Sequence, residues 1–140
     1  MRDIIFRGKP SNERWVYGSL IHTGKFCCIL ESEDSYRYDY PYLDNDLGTI
    51  DGQAIPIDPN TVGQYTGLTD KNGEMIFEGD ILKTDLYGHL LSVIFNEHCA
   101  MFQVLFTDGY SEGFLDRYSE INHLEIVGNI YDNPELLKGE

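Results

Sequence analysis

Positive charge is scarce in this sequence. Ten Lys and Arg stand against 24 Asp and Glu in 140 residues, a net charge of -14. Non-specific binding to nucleic acid neutralises phosphates with Lys and Arg, so this composition excludes it. It excludes attraction to an anionic membrane surface for the same reason. Long apolar runs are absent too, and nothing approaches the ~20 residues of a membrane-spanning helix. The start, Met1-Arg2-Asp3-Ile4-Ile5-Phe6-Arg7, is too short and too charged to read as a signal peptide. Only three cysteines occur, an odd number that cannot pair completely. The expected setting is therefore the cytoplasm, with reduced thiols. Catalytic signatures are missing as well: there is no Gly-x-Ser-x-Gly elbow, no His-Glu-x-x-His and no P-loop.

Helical periodicity is also lacking, since no stretch of the first 110 residues keeps a 3.6-residue period over three turns. What the chain has instead is a series of short β-favouring runs separated by turn residues. Trp15 to Ile21 and Lys25 to Leu30 form a predicted hairpin about His22-Thr23-Gly24-Lys25. Ala54 to Ile57 and Val62 to Leu68 follow. The latter pairs with Met75 to Phe77 across Asp70-Lys71-Asn72-Gly73, where Asn-Gly suits a type I′ or bulged turn. Later strands are expected from Asp80, over Leu90 to Asn96, over Ala100 to Phe106 and over Leu124 to Tyr131, with a helical turn at Tyr118 to His123. Pro134 opens a short terminal helix. The expected fold is all-β: a small barrel or sandwich of short antiparallel strands with a short C-terminal helix.

Charge is distributed unevenly. Residues 1–30 carry five basic and two acidic residues, whereas residues 31–60 carry one and eight. Within the acidic part, Tyr36, Tyr38, Tyr40 and Tyr42 fall on every second residue. In an extended chain they share one face, opposite Arg37, Asp39 and Pro41. The run reads either as a contact surface, because Tyr is enriched at interface hot spots, or as rings folded back onto the chain's own body.

Metal chemistry finds little support. Cys27 and Cys28 are adjacent, as are His98 and Cys99, so in a strand each pair points to opposite faces. Zinc sites prefer two to four intervening residues. Asp44-Asn45-Asp46-Leu47-Gly48 and Asp70-Lys71-Asn72-Gly73-Glu74 lack the sixth-position glycine and twelfth-position glutamate of a calcium loop. No cofactor is expected.

Residues 58–82 carry a specific pattern. Asp58-Pro59-Asn60-Thr61-Val62-Gly63-Gln64-Tyr65-Thr66-Gly67-Leu68 is followed by Asp70-Lys71-Asn72-Gly73 and Phe77-Glu78-Gly79-Asp80-Ile81. This resembles the hallmark of the YopX family of phage and prophage proteins. The start, with Trp15-Val16-Tyr17-Gly18, and the end, Glu125 to Leu137, are similar to the family's opening and closing. The resemblance implies one domain over residues 1–140. Its N-terminal strands would span 1–57, with an acidic, Tyr-rich insertion at 31–52, and its barrel-like half 58–131. It supplies no catalytic residues, and Gly63, Gln64, Tyr65, Thr66, Gly67, Asn72, Gly73, Gly79 and Asp80 read as structural. After Gly79, the Asp80 carboxylate is placed to bind nearby backbone N–H groups.

The expected function is therefore a non-enzymatic, phage- or prophage-encoded interaction module that binds another protein or a second copy of itself. Two alternatives stand beside it. One is a small-molecule or enzymatic cleft between the halves. The other is an acidic mimic of DNA, which would arrange its carboxylates in rows.

Overall fold

The computed structural model describes residues 3–10, 14–24, 26–31, 54–84, 90–106, 112–114 and 124–138. The tyrosine run, the expected turn at Tyr118 to His123, and His89 and His123 lie outside these residues. Eleven strands are described: β1 (Phe6–Lys9), β2 (Val16–His22), β3 (Cys27–Glu31), β4 (Ala54–Pro56), β5 (Asp58–Thr69), β6 (Met75–Phe77), β7 (Asp80–Thr84), β8 (Leu90–Asn96), β9 (Met101–Phe106), β10 (Glu112–Phe114) and β11 (Leu124–Asn129). All pairings are antiparallel, so the fold is all-β as the run pattern predicts. The chain divides into two compact units, Met1–Gln64 and Tyr65–Glu140.

The first unit pairs its strands in the order β4-β3-β2-β1-β5. Its closure follows from two consecutive residues. The Ile57 N–H donates to the Cys27 carbonyl at 3.0 Å, which extends β4 along β3. Asp58 already stands opposite Lys9 of β1. In a flat sheet β4 and β5 would lie four strand spacings apart, each about 4.8 Å, but neighbouring Cα atoms are only about 3.8 Å apart. The sheet must therefore curl until its two edges meet at residues 57 and 58, which is the geometry of a small barrel. Buried Val16, Ile29 and Ile57 fill the inside, with Phe6, Leu20, Ile55 and Val62 packed around them. Gly8 makes room for Ile57: a Cβ there would sit 2.2 Å from the Ile57 Cδ1.

The second unit repeats the order, with β10-β9-β8-β7-β11 in one sheet. Ile76, Leu82, Leu91, Val93, Val104 and Leu124 form its buried core. The C-terminal half of β5 pairs β6 in this unit. Between Tyr65 and Thr69 the register slips, leaving three residues of β5 opposite Ile76 alone. Gly67, at φ +92°, takes the bulge. The Thr66 hydroxyl replaces part of the broken ladder, donating to the Ile76 carbonyl at 2.8 Å and accepting the Leu68 N–H at 3.2 Å.

The β5–β6 connection is the bulged form of the two turns the sequence allows. A type I′ turn needs positive φ at both central residues. Among the described non-glycine residues only Ala100 has one, whereas Gly73 sits at +83°. Gly73 N–H donates to the Asp70 carbonyl at 3.0 Å and Asp70 N–H to the Glu74 carbonyl at 2.8 Å. The expected C-terminal helix is a single 3-10 turn over Pro134–Leu137. The Asn133 side chain, which could have capped a longer helix, instead accepts the Asn129 N–H at 3.2 Å.

Two substitutions test this frame. At Gly18 a Cβ would lie 1.9 Å from the Leu30 backbone oxygen. Gly18→Ala is expected to lower stability by about 3 kcal/mol or more in denaturant melts, because two strands would have to separate. Ala100 has φ +53°, so Ala100→Gly is expected to raise stability by about 1 kcal/mol at unchanged m.

Candidate functional site

An open pocket of about 300 Å³ lies in the first unit, where the curled sheet closes. One side is the corner between β4 and β5, which contributes Pro56, Ile57 and Pro59. The other is the end of the β2–β3 hairpin, with His22, Phe26 and the two adjacent cysteines. The hairpin end is tied twice. Thr23 N–H donates to the Phe26 carbonyl at 2.8 Å, and Phe26 N–H donates to the Thr23 Oγ1 at 3.3 Å. These bonds hold Phe26 outside the strand pair with 64% of its surface in water. Among the described residues no Asp, Glu, Lys or Arg lines the pocket, although Asp58 lies close enough to act on the Cys27 thiol.

The pairing register puts His22 directly opposite Cys27, with Cys28 opposite Ile21 on the other face. The adjacent thiols thus leave opposite sides of the strand, as the sequence implies. The juxtaposition of Cys27 with an imidazole could not be read from the sequence. A Cys–His pair does nucleophilic chemistry only as an activated thiolate. Here burial pushes the Cys27 thiol above its ordinary value, and negative charge on Cys28 and Asp58 adds to the rise. The environment therefore favours the unreactive thiol. Cys99 is exposed on the β8–β9 loop, with its Sγ 3.9 Å from the Gln103 Nε2. Among the described residues no three His, Cys, Asp or Glu side chains gather to hold a metal ion.

The hallmark residues from Gly63 to Asp80 build backbone structure. Gly63 and Gln64 pair with Arg7 and Phe6. Tyr65 packs on Phe77, ring centroids 5.7 Å apart. Gly79, at φ +95°, lets the chain turn into β7. Asp80 is buried, and its Oδ2 accepts the Phe77 N–H at 2.7 Å, the role expected of it. Gly63 has no positive φ, so of the motif's four glycines only Gly67, Gly73 and Gly79 use that freedom.

Two groups went unsingled in the sequence. Asp70 is buried, and its carboxylate accepts three backbone N–H groups: Asn72 and Glu74 at 2.9 Å and Ile126 at 3.0 Å. Its place at the head of a turn was the available signal. Phe26 closes the β2–β3 turn, but the continuous apolar run Phe26-Cys27-Cys28-Ile29 hides that its ring faces water. A third feature, Trp15, has the Arg7 guanidinium 4.6 Å and the Lys9 ammonium 5.5 Å from its ring centroid. Such contacts hold part of the chain's sparse positive charge against its own aromatic surface.

The thiol assignment has a direct test. Cys99 is expected to react with iodoacetamide faster than Cys27 at neutral pH, as read by peptide mass spectrometry. Because the folded thiol ionises at higher pH than the unfolded one, its contribution to stability is complete below the ordinary value of 9.0. That contribution is lost as pH rises through the folded value. Equal alkylation of the two thiols at neutral pH would contradict the burial argument.

The fold has a solved counterpart. The crystal structure of protein EF1440 from Enterococcus faecalis is similar, with TM-score 0.57 and 19% identity over 98% of this chain and 99% of that one. At that identity the likeness concerns the fold. No curated protein matches the sequence. The family model described as YopX protein matches residues 6–138, nearly the whole chain. With its hallmark residues placed in the β5–β7 segment, the chain belongs to the YopX family.

Proposed function

We propose that this chain is a protein-interaction module whose contact point is the hairpin end around Phe26. The observation that carries the reading is the exposure of that ring beside a pocket whose described lining holds no Asp, Glu, Lys or Arg. A buried Phe side chain is worth about 1.5–3 kcal/mol relative to an exposed one. An aromatic held in water by two backbone ties is surface available to a partner. The charge pattern supports the same place. On a chain of net charge -14, association is opposed least where the described lining carries no carboxylate. The partner chemistry is an apolar or aromatic side chain presented by another protein, seated against Ile57, Pro56 and Pro59. The reading keeps the phage or prophage setting that the family resemblance suggests and the cytoplasmic location expected from the cysteine count. The raised Cys27 thiol weighs against using the same pocket for nucleophilic catalysis.

A photo-crosslinking amino acid at position 26, activated in bacterial cells, tests this reading. Reproducible covalent adducts to one protein, or to a second copy, are expected. They should disappear on Pro59→Glu, with the thermal melt of that variant within a few degrees of the parent. A probe that captures no protein, or adducts that survive Pro59→Glu, would overturn the reading.

A further inference from the structure

Asn72-Gly73 remains unused by the function just described. Its chemistry is general. The backbone nitrogen of the residue after an asparagine can attack the side-chain Cγ. A C–N bond forms, the side-chain nitrogen leaves as ammonia, and a succinimide results. Water then opens the ring at either carbonyl, giving aspartate or isoaspartate. Glycine in the second position removes the steric barrier to attack. Asn72 is exposed, and nothing lies within 4 Å of the site a Gly73 Cβ would occupy, so access does not limit the reaction.

The turn does. The attacking nitrogen must lose its proton, but Gly73 N–H is engaged with the Asp70 carbonyl at 3.0 Å. Asn72 is the third residue of that turn, where the backbone is bent rather than extended toward the attack geometry. The Asp70 carboxylate holds both sides, accepting the Asn72 and Glu74 N–H groups at 2.9 Å. We infer that Asn72 is a latent deamidation site, held unreactive by the Asp70-centred turn and released when that turn opens.

Release would have a structural consequence. The same turn covers the edge of β11: Lys71 N–H donates to the Leu124 carbonyl at 2.9 Å, and Asp70 Oδ2 accepts the Ile126 N–H. Isoaspartate adds a carbon to the main chain between Asn72 and Gly73. Either product adds a carboxylate beside Asp70 and Glu74. Each change works against the turn that had blocked the reaction, and loss of ammonia makes the conversion irreversible. The covered strand edge then loses its partner.

The experiment incubates three samples at mildly alkaline pH: the folded protein, its Asp70→Asn variant, and a free peptide spanning residues 69–75. Conversion at Asn72 is followed by peptide mapping and by isoaspartyl methyltransferase labelling. The peptide is expected to convert fastest. Asp70→Asn should convert about tenfold faster than the parent, equivalent to ~1.4 kcal/mol of turn stability. Should the variant prove poorly folded, the parent in urea below its global transition takes its place. Its conversion should rise together with hydrogen exchange at Gly73. A folded protein that converts as fast as the peptide would overturn the inference. So would an opened turn, in variant or urea, with no gain in rate.

Discussion

The first unit is governed by the meeting of its two sheet edges at Ile57 and Asp58. One peptide bond carries the chain from the register of β3 to that of β1. This is affordable only because Gly8 offers no side chain where Ile57 enters, and because Gly18 lets β3 approach β2 at the Leu30 carbonyl. The candidate site is a by-product of that closure. Pro56 and Pro59 flank the crossing, where ladder donors are no longer required. The hairpin end then stands beside the corner they make. The pocket and the core of this unit therefore share two residues, Ile57 and Cys27, and one cause.

In the second unit the recurring device is a side-chain oxygen that takes the place of a missing strand. Thr66 stands in at the β5 bulge, Asp80 at the turn into β7, and Asp70 along β11. Each accepts or donates where the backbone ladder is interrupted, so buried polar groups stay paired. The closing motif works likewise. Asn129 Oδ1 accepts Tyr131 and Asp132 N–H groups at 3.0 and 2.9 Å, and Asn133 replies to the Asn129 N–H. Gly128 is small because a Cβ would meet the Asn133 Oδ1 at 2.6 Å. The residues that carry the family pattern are thus the ones that satisfy the backbone where the strands bend.

The strand-rich architecture was legible because alternating short apolar runs and Gly, Asn and Asp turns report a period of two directly. Leu90 to Asn96 and Met75 to Phe77 lie where that reading puts them. The length of β5 was not: the turn-forming Asp58-Pro59-Asn60 is pulled into a strand by its register with β1 and by Thr61 Oγ1, which accepts the Lys9 N–H at 2.9 Å. The pocket was illegible for a related reason. His22 and Cys27 are brought face to face by pairing, and Pro59 reaches them only through the closure. A one-dimensional pattern holds neither fact. Ala100 likewise gives no sign of its positive φ, since alanine is not a residue that such a conformation selects.

The same topology bears on how tightly each connection is held. Leu30 and Ala54 are cross-strand partners, so the segment between β3 and β4 starts and ends on adjacent strands of one sheet. The entropy of closing a loop grows only slowly with its length, about 0.6 kcal/mol per doubling. Closure entropy alone therefore sets little limit on the length between those two anchors. An acidic, tyrosine-rich stretch can accumulate at such a position without cost to the barrel. The β5–β6 turn stands at the opposite limit: the Asp70 carboxylate grips the Asn72 and Glu74 N–H groups and ties the turn to β11 through Ile126. The contrast between a permissive connection and a clamped one, within a single chain, follows from where each connection's ends are held.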